Sequence, residues 1–399
     1  MADGPWLTIV GLGEDGPDGL PPASRAALGA AEVVMGPPRH LALVPDAEGE
    51  RIAWPVPFAE GLPVLDGLRG RRTVVLTSGD PFWFGAGRAI AARYGSGEWR
   101  ALPGPSVFSL ACARLGWAVE DTLCLGLHAA PLEGLARHLA PDLRAVVTLR
   151  DGAAVPDLAR WLTDRGFGAT RLTVLQALGG PRERVTGMRA DAPPDMAFAH
   201  PVAAALEVAG DGPVLPRASG LPDDAFAHDG QITKRPMRAL ALSALAPRPG
   251  ETLWDIGGGS GSVAVEWCLS APGTTAWSVE PRADRIATIR ENARRYGLTG
   301  LTAVEGRAPD ALDGLQSPDA VFVGGGLSAA LLDALDVRLA PGTRVVAHAV
   351  TLESEALLTR ASAGRGGHLL RVQLAEATPL GAKRGWTSAY PVVQWRATW

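Results

Sequence analysis

The feature that most constrains the fold is a regular alternation of apolar segments and helical runs between residues 252 and 396. Helical runs fill the first five gaps between these segments, and the last gap has no helical period. Such alternation is typical of a mainly parallel sheet covered by helices. We therefore predict an α/β domain of seven strands, the last two forming a reversed pair: Thr252–Ile256, Ala276–Glu280, Leu301–Glu305, Ala320–Val323, Arg344–Val350, Leu369–Ala375 and Val392–Arg396.

The first half of the chain alternates less regularly but in the same way. We predict strands at Trp6–Gly11, Arg72–Thr77, Ala145–Leu149 and Leu172–Leu175, and helices at Ala23–Ala31, Gly85–Tyr94 and Ser106–Leu115. This pattern favours a second, largely parallel sheet. Residues 209–224 are rich in Gly, Pro and Asp, which indicates a linker. We therefore expect one domain over residues 1–210, a linker over 211–222 and another domain over 223–399.

Composition excludes several classes of protein. The net charge of −4 and the pI near 6.0 argue against a general nucleic-acid binder. Three cysteines make no disulfide framework, and neither they nor the seven histidines show metal-ligand spacing. The N-terminus has no basic, apolar leader, and no apolar run has membrane-spanning length. We expect a reduced, cytoplasmic enzyme with no metal, membrane or nucleic-acid partner.

A glycine-rich loop follows the first strand of the second half. Asp255 stands near the strand end, and Gly257, Gly259 and Gly261 lead directly into a helical run. Glycines let the backbone turn sharply and lie against a flat ligand, where a Cβ would clash. The next strand ends at Glu280, where a carboxylate can accept hydrogen bonds from two ribose hydroxyls. Because a ligand cleft is not core packing, we expect the fold to tolerate replacement of Glu280.

Three interpretations of this loop compete. A nicotinamide site would have G-x-G-x-x-G, with its third glycine inside the helix, and a purely structural turn would need no acid nearby. The G-x-G-x-G spacing, with an acid two residues upstream, resembles motif I of the class I S-adenosylmethionine (SAM) methyltransferases. The resemblance implies that Asp255 orders the loop near the methionine moiety, that Glu280 holds the ribose, and that Gly306, Arg307 and Ala308 line the adenine.

The N-terminal loop also matches a dinucleotide pattern, but its context differs. Gly11, Gly13 and Gly16 fit G-x-G-x-x-G, yet the prolines and glycines that follow delay any helix until about Ala23. A dinucleotide site would have its helix at the third glycine. We therefore interpret this match as accidental.

The whole first half resembles the class III (tetrapyrrole) methyltransferases. The loop containing Asp80 and Gly85, and the helix that opens at Ser106, carry this resemblance together with Gly11 and Gly13. It implies two α/β lobes, at about residues 1–118 and 119–210, with SAM clasped between them by these five residues. Taken singly, Asp80 could form a helix-opening turn and Ser106 an N-cap. At His128 the chain has His-Ala-Ala where the family often has His-Gly-Arg, so a structural histidine is an alternative there.

A class III domain followed by a class I domain resembles a fused methyltransferase family of cobalamin biosynthesis. Residues 220–235, which we call the entrance segment, and residues 320–326 strengthen the resemblance. It implies methylation of a precorrin at C5 and C15, decarboxylation of its C12 acetate, two SAM sites and a homo-oligomer. Either domain could instead serve a different tetrapyrrole or small molecule, or one half could be a degenerate SAM sensor. The intact glycines and Glu280 oppose a degenerate second half.

Candidate substrate contacts lie at the end of the entrance segment. Lys234 and Arg235, with Thr233, could grip substrate carboxylates, since arginine forms bidentate charge-assisted bonds. A solvated basic pair is an equal alternative, and Thr233 could be the N-cap of a helix over 235–245 with Pro236 in its first turn. We assign no catalytic acid or base. Glu266 is expected to be a plain helix-face residue.

Overall fold

The computed structural model describes residues 4–399. The chain forms two compact units. The first unit extends to Leu132 and includes His138–Pro213, and the second contains Glu133–Arg137 and Val214–Trp399. Each unit has its own sheets and its own apolar core, so each is described by itself.

The first lobe of the first unit is a parallel sheet. Its order is β3-β2-β4-β1-β5, with every neighbouring pair parallel. The strands are β1 Leu7–Leu12, β2 Val33–Gly36, β3 Glu50–Ala53, β4 Thr73–Ser78 and β5 Trp99–Leu102; the helices are α1 Pro22–Gly29, α2 Pro38–Leu43, α3 Gly61–Asp66, α4 Gly87–Ala91 and α5 Val107–Leu115. A short 3-10 turn, Gly16–Gly19, already forms at the third glycine of the N-terminal loop, so the prediction that no helix begins before about Ala23 holds only for α-helix, since α1 begins at Pro22.

The second lobe is a mixed sheet, so the prediction of a largely parallel sheet is wrong here. Its order is β6-β7-β10-β8-β9, and only β6 and β7 are parallel. The elements are β6 Leu123–Gly126, β7 Arg144–Leu149, α6 Ala154–Asp164, β8 Arg171–Gln176, β9 Arg184–Arg189 and β10 Val202–Glu207. The cause is the β8–β9 hairpin, which returns the chain antiparallel without a helical crossover.

The second unit contains the predicted seven-stranded sheet. Its order is β13-β12-β11-β14-β15-β19-β16, and β19 alone runs against its neighbours. The strands of the sheet are β11 Thr252–Ile256, β12 Thr275–Glu280, β13 Leu301–Glu305, β14 Ala320–Val323, β15 Arg344–Ala349, β16 His368–Val372 and β19 Val392–Thr398. Outside it lie β17 Ala375–Leu380 and β18 Lys383–Ser388, and the helices are α7 Arg235–Leu245, α8 Ser262–Ser270, α9 Ala283–Arg295, α10 Ala329–Arg338 and α11 Leu352–Arg365.

The last two strands of the sheet, β16 and β19, form an antiparallel pair as predicted, with β19 inserted between β15 and β16. Two other details of this unit differ from the prediction. The third gap holds only a short 3-10 turn, Asp310–Leu312, in place of a helix. The segment between β16 and β19 forms a separate hairpin of β17 and β18.

The core of the second unit lies on both faces of its sheet. Leu253 and Phe322 pack on one face with α8 and α9, whereas Trp254, Ile256 and Val323 pack on the other face with α10 and α11. Strands buried on both faces are apolar throughout, which is why the sequence pattern located them well. Among residues 4–399, no helix is long and apolar enough to span a membrane.

Candidate cofactor and substrate sites

The loop after β11 is shaped by its glycines. Gly257, Gly259 and Gly261 all have positive φ, at 71°, 59° and 72°. A Cβ on Gly257 would lie 2.6 Å from the Gly325 backbone, so the loop after β14 requires a glycine there. A Cβ on Gly259 would meet nothing nearer than the Gln231 carbonyl oxygen, at 3.9 Å. The backbone of Gly259 is therefore the part of the loop that a ligand can approach.

Asp255 lies beneath this loop. It is 1% exposed, and its Oδ2 accepts a hydrogen bond of 2.9 Å from the Ser278 hydroxyl. Burial raises the pKa of Asp255 to about 7, the Ser278 and Ala264 hydrogen bonds oppose this, and the Glu280 charge adds to it. Asp255 can order the loop from below, as the resemblance implies.

Glu280 is more deeply built into the site than we expected. It is 3% exposed, and its Oε2 accepts from the Gly259 amide at 3.0 Å while Oε1 accepts from the Arg282 amide at 3.1 Å. Each carboxylate oxygen keeps a second acceptor site, so both can still accept ribose hydroxyls. The same carboxylate therefore also fixes the glycine loop, so replacing Glu280 should lower stability as well as cofactor affinity, and tolerance of the replacement by the fold stays a prediction.

Gly306, Arg307 and Ala308 follow β13 beside Glu280. The Gly306 amide donates to the Glu280 carbonyl at 3.1 Å, which brings this turn next to the end of β12. Arg307 is exposed and Ala308 is half-buried. The structure thus brings these three residues, Glu280 and the glycine loop to one edge of the sheet, where open α/β sheets bind ligands.

The loop has room and an unpaired polar group for a nucleoside-type cofactor. The backbone of Gly259 is open, and the buried Ser260 hydroxyl has no hydrogen-bond partner among residues 4–399. Buried hydroxyls are nearly always paired, so an unpaired one beside an open backbone fits a site that a ligand completes. Asn292 holds the loop in place, because its Nδ2 donates to the carbonyls of Ser260 and Ala227 at 2.9 Å each.

The three candidate substrate contacts lie together ahead of α7. Lys234 and Arg235 are exposed, and the Lys234 Nζ is 3.9 Å from Asp223 Oδ2. The N-cap of α7 is Lys234, without a side-chain capping bond, so the alternative role of Thr233 as N-cap is wrong. The Thr233 carbonyl instead accepts from Arg238. Pro236 does lie in the first turn of α7, as expected.

Sequence reasoning missed a buried ion pair behind the entrance segment. Arg238 is 0% exposed, and its Nε donates to Glu266, which is 3% exposed. Glu266 also accepts from the amides of Gly220 and Leu221 at 2.6 and 2.8 Å. Glu266 is therefore not a plain helix-face residue. The signal that could have located the pair was a charged residue surrounded by apolar ones in each helix, Arg238 in α7 and Glu266 in α8.

The same contacts bear on the linker expected over residues 211–222. Arg238 also donates to Asp223 at 3.1 Å and to the Leu221 carbonyl, and its guanidinium lies 4.7 Å from the centre of the Phe226 ring. Leu221 is 3% exposed within the second core. The last residues of that range are thus packed parts of the second unit.

In the first unit, glycines bring three loops into contact. A Cβ on Gly11 would lie 1.8 Å from the Gly79 carbonyl and 2.5 Å from the Gly104 amide, and the Gly104 amide donates to Gly79 at 3.0 Å. These loops follow β1, β4 and β5 at one edge of the parallel sheet. A Cβ on Gly13 would lie 2.4 Å from the Asp15 carboxylate. The packing of backbone on backbone therefore requires glycine at position 11, whereas at Gly13 the near neighbour is only the end of a side chain that can move.

The other predicted residues of the first unit also have structural partners. Asp80 Oδ1 accepts from the Phe82 amide at 2.8 Å, which forms the expected turn. A Cβ on Gly85 would lie 2.6 Å from the Pro81 carbonyl. Ser106 is the N-cap of α5, accepting from the Ser109 amide at 3.1 Å. His128 Nδ1 lies 2.8 Å from the Thr148 hydroxyl, and burial lowers the pKa of this histidine.

Metal ligation was not expected from the sequence. Within residues 4–399, no group of three or more His, Cys, Asp or Glu side chains is arranged to hold a metal ion.

Comparison with known proteins decides the family. Residues 6–193 match a model described as Tetrapyrrole (Corrin/Porphyrin) Methylases, and residues 224–399 match a Precorrin methyltransferase domain. The chain is 48% identical to a Precorrin-6Y C(5,15)-methyltransferase [decarboxylating] of Sinorhizobium sp, over 99% of this chain and 96% of that protein. It belongs to the precorrin-6Y C(5,15)-methyltransferase family.

A second relative and a solved structure carry the same family name. The Mycobacterium tuberculosis (strain CDC 1551 / Oshkosh) protein is 41% identical over 98% of this chain and 99% of its own length. The C-terminal domain of the Rhodobacter capsulatus precorrin-6Y C5,15-methyltransferase is 59% identical and covers 46% of this chain and all 100% of that structure, with a TM-score of 0.45. Membership of the precorrin-6Y C(5,15)-methyltransferase family confirms the predicted class III and class I fusion and its use of SAM.

Proposed function

We propose that this chain methylates a precorrin at C5 and C15 and removes carbon dioxide from the C12 acetate side chain, in cobalamin biosynthesis. The observation that carries the proposal is 48% identity over 99% of the chain to a relative named for both methylations and the decarboxylation. An activity that combines two methylations fits a chain with two different cofactor-loop systems.

Two SAM molecules per chain, one for each unit, are part of the proposal. The loop after β11, with Glu280 and the turn at Gly306, supports the second site. The resemblance to class III methyltransferases around Gly11, Asp80 and Ser106 supports the first. Calorimetry on the intact protein should give a stoichiometry near two. A value near one would contradict the two-site proposal and favour a degenerate half.

Positioning is the main task of the protein in each methylation. SAM, when bound, supplies an electrophilic methyl group. A meso carbon flanked by enamine nitrogens is already nucleophilic. Holding it in line with the methyl group of SAM lowers the activation barrier, and proximity and orientation together can supply up to about 7–11 kcal/mol. In the second unit the rigid loop at Gly259, fixed by Glu280 and Asn292, provides such a platform.

Substrate carboxylates need cationic partners. Lys234 and Arg235 are exposed at the start of α7, and the buried Arg238–Glu266 pair anchors the segment that carries them. Thr233 belongs to the same segment. We propose that these residues contact acetate or propionate groups of the precorrin, since arginine and lysine bind carboxylates by charge-assisted hydrogen bonds.

The two reactions are divided between the units. We assign C5 methylation to the first unit and C15 methylation with decarboxylation to the second, on the resemblance of each unit to its own methyltransferase class. A homo-oligomer in the cytoplasm is part of the same proposal, and light scattering on the purified protein tests the oligomeric state.

The central experiment is incubation of the intact protein with the reduced precorrin and 13C-methyl SAM. The product should gain two methyl groups, which NMR distinguishes by position, and lose one carbon dioxide, which mass spectrometry detects. A product with both methyl groups at other atoms, or no transfer at all, would contradict the proposed substrate. That outcome would favour the alternative of a different tetrapyrrole or small molecule.

A further inference from the structure

A cluster of charged and polar side chains lies at the cofactor edge of the first unit and is unused by the mechanism above. We call Glu14, Arg39, His40, Ser78 and Arg182 the Glu14 cluster. Glu14 follows β1, Arg39 and His40 begin α2 after β2, and Ser78 ends β4, so all four lie at the carboxyl edge of the parallel sheet.

This edge is where the sheet topology opens a crevice. From β1 the chain crosses β4 to reach β2, whereas from β4 it crosses β1 to reach β5. The loops after β1 and β4 therefore leave in opposite directions, and ligands of open α/β sheets bind at such a point. Arg182 reaches the same place from the β8–β9 turn of the second lobe.

Glu14 is shared by two guanidinium groups. It is 8% exposed, its Oε1 accepts from Arg39, and its Oε2 accepts from Arg182 at 3.0 Å. A Cβ on Gly180 would lie 2.5 Å from the Cβ and carbonyl oxygen of Glu14, so the approach of the two lobes here requires glycine. Two positive charges face one negative charge, which leaves the cluster with one unbalanced positive charge.

His40 and Ser78 orient the Arg39 guanidinium by hydrogen bonds. The Arg39 Nη2 lies 2.7 Å from His40 Nε2 and 3.0 Å from the Ser78 hydroxyl. His40 is 2% exposed, and burial, followed by the charge of Arg39, lowers the pKa of His40 to about 3. A neutral imidazole can accept this hydrogen bond at physiological pH, so His40 holds the guanidinium without competing for an anion.

Arg182 is the exposed partner of the cluster. Its side chain is 61% exposed, and one Nη2 bond to Glu14 leaves most of its five N–H donors directed to solvent. Its turn is fixed nearby by Glu183, which accepts from the Gly179 amide at 2.7 Å and pairs with Arg114 at 2.7 Å. An exposed guanidinium on a fixed turn, opposite the half-buried guanidinium of Arg39, forms a two-sided site for a planar anion.

We propose that Arg39 and Arg182 bind a peripheral carboxylate of the precorrin and thereby set the position of the macrocycle for methylation by the first unit. With one substrate carboxylate bound beside Glu14, two negative charges face the two arginines. The charge of the cluster is then balanced, whereas without substrate one positive charge is left over. By accepting one hydrogen bond from each, Glu14 orients the two guanidinium groups before substrate arrives. This inference rests on the proposed function.

The test replaces Arg182, because its exposure makes folding insensitive to the change. Arg182→Gln and Arg182→Lys are compared in the intact protein with the reduced precorrin and 13C-methyl SAM, following the methyl group added by the first unit. Losing one charge-assisted carboxylate contact should raise the KM for the precorrin by about ten- to hundredfold, with SAM affinity unchanged. Arg182→Lys should fall between wild type and Arg182→Gln, because it keeps the charge but loses the planar fork.

Arg160→Gln is the matched control. Arg160 is also an exposed arginine paired with one carboxylate, Asp157 at 3.0 Å, but on α6 away from the cluster. Its KM should equal that of the wild type. If Arg182→Gln leaves the KM for the precorrin within twofold of wild type, or weakens SAM binding instead, the inference is wrong. If the wild type itself transfers no methyl group to the precorrin, the proposed function fails first, and the two failures are thus distinguished.

Discussion

Replacement of Glu280 by glutamine affects both proposed roles of this side chain, holding the glycine loop and binding the ribose of SAM. In the native protein each carboxylate oxygen accepts one backbone amide, from Gly259 and from Arg282, and has one further acceptor site. Glutamine offers one oxygen and one NH2 group, so a donor must face one of the two amides and one ribose hydroxyl loses its charged acceptor.

The magnitude follows from those lost bonds. Hydrogen bonds to charged groups contribute about 1.5–3 kcal/mol each, and every 1.4 kcal/mol is roughly tenfold in affinity. Glu280→Gln should therefore weaken SAM binding to the second unit by about ten- to hundredfold. An additional loss of about 1–3 kcal/mol in the free energy of unfolding is expected, because a buried backbone amide loses its acceptor.

Calorimetry and product analysis check this prediction. Calorimetry should retain one strong SAM site, and the product should carry one new methyl group and keep its C12 acetate. Glu305→Gln is the matched control, since Glu305 lies directly opposite Glu280 on β13 and is exposed. A Glu280→Gln variant that yields the doubly methylated, decarboxylated product at wild-type SAM concentrations would refute the assignment.

Three further predictions concern stability. Arg238→Ala leaves the Glu266 carboxylate buried without its cation, so urea unfolding of the second unit should show a loss of about 3–5 kcal/mol, whereas exposed Arg235→Ala should change stability by less than about 0.5 kcal/mol. Because folding raises the pKa of Asp255 from 3.8 to about 7, the unfolded chain loses this proton first as pH rises, and the free energy of unfolding should fall between pH 4 and 7. Asp255→Asn should remove this part of the pH dependence, and a variant with the wild-type pH slope in urea titrations would contradict the prediction. Cleavage at an inserted protease site between Pro213 and Val214 should release two fragments that each melt cooperatively, and insoluble fragments would show that the boundary is misplaced.

Sequence patterns located the second unit well for a physical reason. The strands β11, β13 and β14 have the predicted bounds, because each is a short apolar run that ends at glycine or a charged residue. The glycine loop and Glu280 also lie together as predicted, since parallel strands present their carboxyl ends at one edge.

The features that the sequence did not reveal are contacts between residues far apart in the chain, and a strand with no apolar pattern. Strand β9 was missed because its residues are mostly exposed and polar, so it carries no apolar period. The partner of Arg238 is 28 residues away on another helix, and spacing alone cannot select it. The Glu14 cluster joins side chains from both lobes, and Arg182 is 168 residues from Glu14 along the chain. Such contacts are fixed by topology, which the periodicity of a single segment does not encode.

The position of β19 has a consequence for biosynthesis of the protein. This strand follows β16 in the sequence but lies between β15 and β16 and pairs with both. On the ribosome the sheet of the second unit therefore stays open, with the edge of β15 unpaired, until β19 has left the exit tunnel. The strands of the first unit are all synthesised before Pro213 and can pair during translation. The first unit can thus finish folding while the second still exposes an unpaired strand edge, which makes that stage of synthesis the one most exposed to wrong strand pairing.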